Sequence, residues 1–286
     1  MSGALAFESH YAELYGARWP ALKLALLGEK KHAVVLDPKE EIPESFQILQ
    51  PIAWYPNAWL LPEKITLPGV RAYFMDAASM LPVKALELQQ GEKVLDLCAA
   101  PGGKSLLMAW LLGPRGILVS NDRSPDRRGR LKKTLDELTL PETRPNFRIT
   151  GFDAGGWGLH EKNLYDKVLL DAPCSSERHV LEDPKELKVW SPKRPKRLAT
   201  DQFTMLCAAL EAVKPGGVIV YSTCALETRE NDGVVARLLE RRAGRVELFP
   251  WVSPLGEKTE FGTQVLPDQD GFGPFYLCRL KKLEAP

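Results

Sequence analysis

The sequence has no excess of either charge: 38 lysines and arginines face 37 aspartates and glutamates, a formal charge of +1 over 286 residues. That excludes a generally basic nucleic-acid coat. The five cysteines, at positions 98, 174, 207, 224 and 278, are odd in number and form no CxxC pair. A disulfide framework and a structural zinc site are therefore excluded, no metal site is expected, and a reducing compartment fits best. No apolar run approaches the ~20 residues of a membrane span. The opening "MSGALAFESH" has neither a basic n-region nor an apolar h-region and is not an Arg-rich transit segment. A soluble, cytoplasmic chain without a membrane partner is the expectation. No internal repeat or low-complexity stretch interrupts it.

What is present is regular alternation. "KVLDL" (93–97), "GILVSND" (116–122), "FRITGFD" (147–153), "KVLLDAP" (167–173) and "VIVYSTC" (218–224) read as short apolar strands. Helical stretches lie between them, and "KPGG" is expected to be a turn before the last of these strands. "VELF" and "FYLCRL" supply two closing strands. Near-continuous Val/Ile/Leu strands predict an α/β fold with a mostly parallel sheet covered on both faces. Residues 1–75 differ in texture, with two amphipathic helices and the strand candidates "HAVVL" and "FQILQPIAWY". Residues 1–75 read as a small α/β extension, and 76–286 as the main domain.

In such sheets ligands gather beyond the C-terminal strand ends. Asp96 to Lys104, Asp122, Asp153, Asp171 to Cys174, and Cys224 all fall there, which points to one site. "DLCAAPGGKS" places two glycines between a strand and a helix, where backbone approaches a ligand closely. A P-loop needs glycine where this chain has Cys98, and G-x-G-x-x-G is absent, so ATPase and dinucleotide chemistry are poor alternatives. Two runs, "RSPDRRGRLKK" (123–133) and "SPKRPKR" (191–197), concentrate positive charge as phosphate contacts or as solvated faces.

The blocks "DLCAAPGGKS", "DAPCSSERH" and "YSTCALETREN" resemble the signatures of the Sun-domain (Nop/Sun) family of S-adenosylmethionine-dependent RNA cytosine-5 methyltransferases. "YFMDAASMLPVKAL" and "GFGPFYLCRLKKL" are similar to the branch containing the mitochondrial ribosomal-RNA enzyme. The resemblance implies a class I methyltransferase fold, Rossmann-like, with a seven-stranded doubly wound sheet whose last hairpin holds one antiparallel strand. It assigns attack on cytosine C6 to Cys224, the side-chain type best suited to covalent catalysis. Cys174 is implied to help remove the C5 proton and release the enzyme. Asp171 would bond the N3/N4 edge of the base, with Lys104 beside it. Cys98, Ala99, Ala100, Pro101, Gly102, Gly103 and Lys104 would wrap S-adenosylmethionine, with Asp122 on its ribose, Asp153 at its adenine, and Arg127 and Asp171 nearby. RNA is the implied partner, ribosomal favoured over transfer RNA. A protein partner is not evident, and a monomer is expected.

Other readings stay open at this level. A DNA cytosine-5 methyltransferase would use Cys174 as nucleophile, and a non-catalytic ribosome-assembly factor would keep only the fold. Cys207 and Cys278 are expected in the core, His179 in a loop. Trp190 either stacks an unpaired base or anchors a long loop.

Overall fold

The computed structural model describes residues 2–61, 67, 69–142 and 144–284. Helix α1 (Gly3–Tyr15) starts at Ser2, whose hydroxyl accepts the Leu5 amide. Phe7 and Tyr11, four residues apart, form its buried stripe. Helix α2 (Trp19–Leu27) carries Pro20 in its first turn and buries Trp19, Leu22 and Leu26. These side chains cluster with Val180, Trp190 and Leu226, so the first two helices seal onto loops of the main sheet. Trp190 is 3% exposed and packs edge-on to Phe7 with ring centroids 5.1 Å apart. It is a loop anchor, and the base-stacking alternative falls.

A three-stranded antiparallel sheet follows, ordered β2-β1-β3, from β1 (His32–Leu36), β2 (Ala58–Leu61) and β3 (Ala72–Met75). The expected strand "FQILQPIAWY" does not form. Glu44–Ile48 is a short 3-10 turn that buries Phe46, and Pro51 makes only an isolated bridge to Trp59. A proline removes one ladder donor, and the Phe46 ring finds its partner edge-on at Trp59 instead. Ala33 and Val35 of β1 join the same apolar cluster as helix α3 (Leu81–Leu86).

The main sheet is built from β4 (Lys93–Asp96), helix α4 (Gly103–Leu112), β5 (Ile117–Asn121), helix α5 (Pro125–Leu138) and β6 (Asn146–Thr150). Next come β7 (Tyr165–Asp171) and helices α6 (Glu177–Glu182), α7 (Pro184–Val189) and α8 (Lys193–Ala212). The chain continues with β8 (Val213–Thr223), helix α9 (Asp232–Arg241), β9 (Val246–Leu248), β10 (Glu257–Lys258), β11 (Thr263–Val265) and β12 (Phe275–Lys282). Strand order is β10-β11-β12-β8-β7-β4-β5-β6, with β9 also on β12. The run from β6 to β8 is parallel, and β12 enters antiparallel to β8.

The sheet thus has nine strands where seven were expected. The two extra are the short β10 and β11. Strand β9 pairs only with Leu280 to Lys282 of the longer β12, and β11 covers the edge left at Phe275 to Leu277. Alternation along the strands sends Val94, Leu118, Leu169 and Val220 into one cluster with α3 and α4. Leu95, Val119, Val168 and Ile219 face the other, with α8 and α9. Both faces of the sheet are therefore covered, as a doubly wound fold requires.

"KPGG" is not a free turn but a bulge inside β8. Pairing with β7 jumps from Tyr165↔Val213 to Lys167↔Val218, and Gly216 takes φ 76°. Helix α8 starts at Lys193, inside the basic run 191–197. His179 lies on α6 rather than in a loop. Cys278 is buried as expected, but Cys207 is only half-buried. Among the described residues no helix is long and apolar enough to cross a membrane.

Candidate active site

Strand β4 ends in Asp96, and the backbone then turns through Cys98 to Gly102 into α4. Gly102 has φ 119°, and a Cβ there would lie 3.3 Å from the Leu131 backbone. A Cβ on Gly103 would lie 2.4 Å from the Tyr73 ring. The two glycines let the start of α4 press between α5 and β3, which a side chain would prevent. The first turn of α4 then carries Lys104 towards β7. Its Nζ lies 2.7 Å from Asp171 Oδ2 and 5.4 Å from the centre of the Phe275 ring. Burial opposes the Lys104 charge, but the Asp171 carboxylate outweighs it and holds the amine above its ordinary pKa. Ser222, the register partner of Asp171 on β8, donates to its other oxygen at 2.8 Å.

Cys174 and Cys224 belong to one site. Their sulfurs are 3.0 Å apart, within hydrogen-bond reach, and either can be the donor. Ser176 Oγ lies 3.2 Å from the Cys224 sulfur and 3.5 Å from that of Cys174. The hydrogen bond from Cys174 lowers the pKa of Cys224 against the effect of burial, and Ser176 lowers it further. The same bond and burial push Cys174 well up. Of the two, Cys224 is the more readily ionised. The asymmetry favours Cys224 as nucleophile.

Beside this cluster lies a cavity of about 680 Å³, lined among others by Cys98, Asp122, Arg127, Phe152, Asp153, Leu198 and Met205. Asp122 is 4% exposed and accepts the Ala100 and Ser124 amides at 3.3 and 3.0 Å. Arg127 lies 3.5 Å from Asp122 and donates to the Ala100 carbonyl, bracing the glycine loop. Asp153 caps the turn Ala154–Leu159 by accepting the Gly155 amide at 2.9 Å, and is otherwise exposed. The Cys98 sulfur packs 3.9 Å from Met205 Sδ, and burial pushes its pKa well up, so this thiol is inert lining. Volume, a buried carboxylate at one wall and apolar Phe152, Leu198 and Met205 together fit an adenosyl group.

A second cavity, of about 180 Å³, includes Ala99, Ala100, Pro101, Gly103, Lys104 and Asp171 in its lining. Cys98 lines both it and the larger cavity, so the two are neighbours. A third, of about 330 Å³, opens onto Cys224 past Ser79, Ser176, Arg178 and His179. Gly102 lines none of these, and its part is the turn itself.

Sequence reasoning passed over Ser176, Ser222 and Phe275, which touch the thiols, Asp171 and Lys104 respectively. Ser222 gave only its place two residues before Cys224, since the pairing of its strand with β7 comes from the fold. Ser176 had none, since its left-handed φ of 53° is unusual for serine. Asp96 is a further buried group. Its carboxyl accepts the Ser105 hydroxyl at 2.7 Å, and burial pushes its pKa up to about 7. No group of three or more His, Cys, Asp or Glu among the described residues is placed to hold a metal ion.

A doubly wound sheet that is parallel from β6 to β8, with β12 antiparallel beside β8, a glycine turn after β4 and an acid after β5, is the fold of a class I methyltransferase, which uses S-adenosylmethionine. Comparison with known proteins narrows this. The family described as "16S rRNA methyltransferase RsmB/F" matches residues 83–281, and the chain belongs to it. It is 33% identical to the 5-cytosine rRNA methyltransferase NSUN4 of Mus musculus, over 97% of this chain and 87% of that one. It is 40% identical to the mitochondrial tRNA (cytosine(34)-C(5))-methyltransferase of Danio rerio, over 74% of this chain and 60% of that one. Among solved structures, the methyltransferase homolog protein from Pyrococcus horikoshii superposes with a TM-score of 0.79 at 26% identity, covering 96% and 93% of the two chains.

Proposed function

We propose that this S-adenosylmethionine-dependent RNA cytosine-5 methyltransferase modifies ribosomal RNA of the small subunit, with Cys224 as its nucleophile. The observation that carries the second part is the 3.0 Å sulfur contact, whose hydrogen bond lowers Cys224 and raises Cys174. The family description and the mouse relative support ribosomal RNA. The zebrafish relative keeps transfer RNA as the second reading.

S-adenosylmethionine supplies an electrophilic methyl group. The larger cavity is suited to it, with Asp122 for the ribose hydroxyls, Asp153 towards the adenine amine and Ala99 to Gly103 around the methionine part. A cytosine in a single strand or loop costs little to extrude into the smaller cavities. There Asp171, 2.7 Å from the Lys104 ammonium, suits the N4 amino group. The Lys104 ammonium suits N3 or O2, where negative charge collects as C6 is attacked. The Cys224 thiolate bonds to C6, the C5–C6 π pair moves onto C5, and C5 becomes nucleophilic enough to take the methyl group.

Attack also removes the anion that raised Cys174. Its thiol can then lose its proton to solvent in the cavity that opens onto Cys224, and the thiolate takes the C5 proton: the C5–H pair restores the C5–C6 double bond and the C6–sulfur pair leaves with Cys224. One contact therefore orders two roles in time. A DNA-type mechanism would need Cys174 to be the more readily ionised thiol, whereas its hydrogen bond with Cys224 and its burial push it up.

The test supplies methyl-tritiated S-adenosylmethionine with small-subunit ribosomal RNA, with transfer RNA and with DNA. Label at cytosine C5 of ribosomal RNA is expected. Label confined to transfer RNA rejects the substrate, and label in none rejects the enzyme. Asp122→Ala should weaken S-adenosylmethionine binding at least tenfold, as loss of a hydrogen bond to a charged group of roughly 1.5–3 kcal/mol implies. Unchanged affinity by calorimetry would reject the ribose contact.

A further inference from the structure

The loops that carry the two cysteines are tied together by two buried glutamates running in opposite directions. Glu177, on the Cys174 side, accepts the amide of Leu226 on the Cys224 side at 2.9 Å. Glu230, on the Cys224 side, accepts the amide of Ser175 on the Cys174 side at 3.0 Å. Each carboxylate reaches across to the loop of the other, one or two residues beyond the cysteine. Both are 0% exposed. Burial raises the pKa of both groups.

Neither glutamate has a cation for a partner among the described residues. Glu177 instead accepts hydrogen bonds from the hydroxyls of Ser175 and of Tyr11 on α1, the latter at 2.6 Å. Gln202 of α8 donates to Glu230 at 2.7 Å and to the Pro173 carbonyl at 2.9 Å, holding the residue before Cys174. Tyr15 of α1 donates to the Leu226 carbonyl at 2.8 Å.

Buried carboxylates without cations are a poor way to stabilise a fold, since apolar side chains would fill the same space without a desolvation cost. They are a good way to fix geometry, because a carboxylate held by several fixed donors, three at Glu177 and two at Glu230, has one orientation. The distance most in need of fixing is the one between the sulfurs, on which the lowered pKa of Cys224 depends.

We propose that Glu177 and Glu230 are positioning residues that hold Cys174 and Cys224 in hydrogen-bond contact, and that Tyr11 makes helix α1 part of this clasp. The proposal rests on the reading of Cys224 as nucleophile, and it deepens that reading. Helix α1 is then no mere appendage for RNA. It sets the reactivity of thiols on loops that follow it by more than half the chain.

The test compares wild type with Glu177→Gln and the milder Tyr11→Phe. A glutamine at 177 presents one oxygen and a donor amide to three donors, so at least one bond is lost. Three quantities are read below the melting temperature of each variant: S-adenosylmethionine affinity, kcat and KM on RNA, and the rate of Cys224 alkylation by iodoacetamide at pH 7. Expected for Glu177→Gln is a roughly tenfold or larger fall in kcat and in alkylation rate, with cofactor affinity and KM within about twofold. Tyr11→Phe should show the same pattern more weakly. Wild-type alkylation and kcat in Glu177→Gln would overturn the proposal. A loss of cofactor affinity in step with kcat would also overturn it, by marking general disruption. Alkylation needs no RNA, so it judges the clasp even if wild type forms no RNA adduct, a result that would count against the function instead.

Discussion

Cys224→Ser should lose methylation by about 10³-fold or more and form no covalent RNA adduct, while binding S-adenosylmethionine as wild type does. The loss follows from the chemistry of the group. A serine hydroxyl is not ionised at neutral pH, and the bond from Cys174 that lowers Cys224 cannot bring an alcohol near that range. Retained cofactor binding follows from the geometry, because Cys224 does not line the 680 Å³ cavity. Calorimetry and a denaturing gel of enzyme with labelled RNA read both quantities. Methylation above a tenth of wild type would sink the assignment of the nucleophile.

Cys174→Ser should give the opposite picture on the same gel: a covalent adduct that accumulates and turnover that falls. Attack survives because Ser176 still lies 3.2 Å from the Cys224 sulfur, and a serine at 174 keeps a hydroxyl donor beside it. The later step suffers, because an alcohol is a far weaker acceptor for the C5 proton, and without that proton's removal the C6–sulfur bond persists. Normal turnover with no adduct would reject the release role. An adduct that needs Cys174 and persists in Cys224→Ser would reverse the two roles and restore the DNA-type mechanism.

Much of this site was legible because it sits where short apolar strands end. Strands 93–97, 116–122 and 167–173 announce themselves by unbroken Val/Ile/Leu runs, and each is followed by its chemically important residue. The positions of Asp122, Asp171, Cys174 and Cys224 could thus be read from pattern alone. What escaped depends on pairing between distant segments. Ser222 matters because β8 registers it against Asp171, and Phe275 because β12 returns antiparallel beside β8. Neither fact is local. The clasp escaped for a second reason: Glu177 and Glu230 look like ordinary surface acids, and only tertiary burial makes them otherwise. The misread strand at 46–55 shows the converse, a plausible apolar run overruled by Pro51 and by Phe46 turning inwards. Trp190 is a related case, since an aromatic among lysines reads equally well as a base platform or as a buried anchor until its neighbours Phe7 and Tyr11 are known.

Strand β12 lies inside the main sheet, with β8 on one edge and β9 and β11 on the other. On the ribosome this order has a cost. Strand β8, whose Ile219, Val220 and Tyr221 are fully buried in the finished protein, emerges long before β12 and must wait with an open edge. Strands β9, β10 and β11 have no place in the sheet until β12 arrives. The nascent chain therefore carries a hydrophobic, unpaired edge while the stretch between Thr223 and Phe275 is made, the condition under which chains aggregate or recruit chaperones. A chain stalled before Phe275 lacks both the sheet's keystone and the ring beneath Lys104. Folding and competence for catalysis are consequently late, joint events, completed only when the last strand slides into the middle.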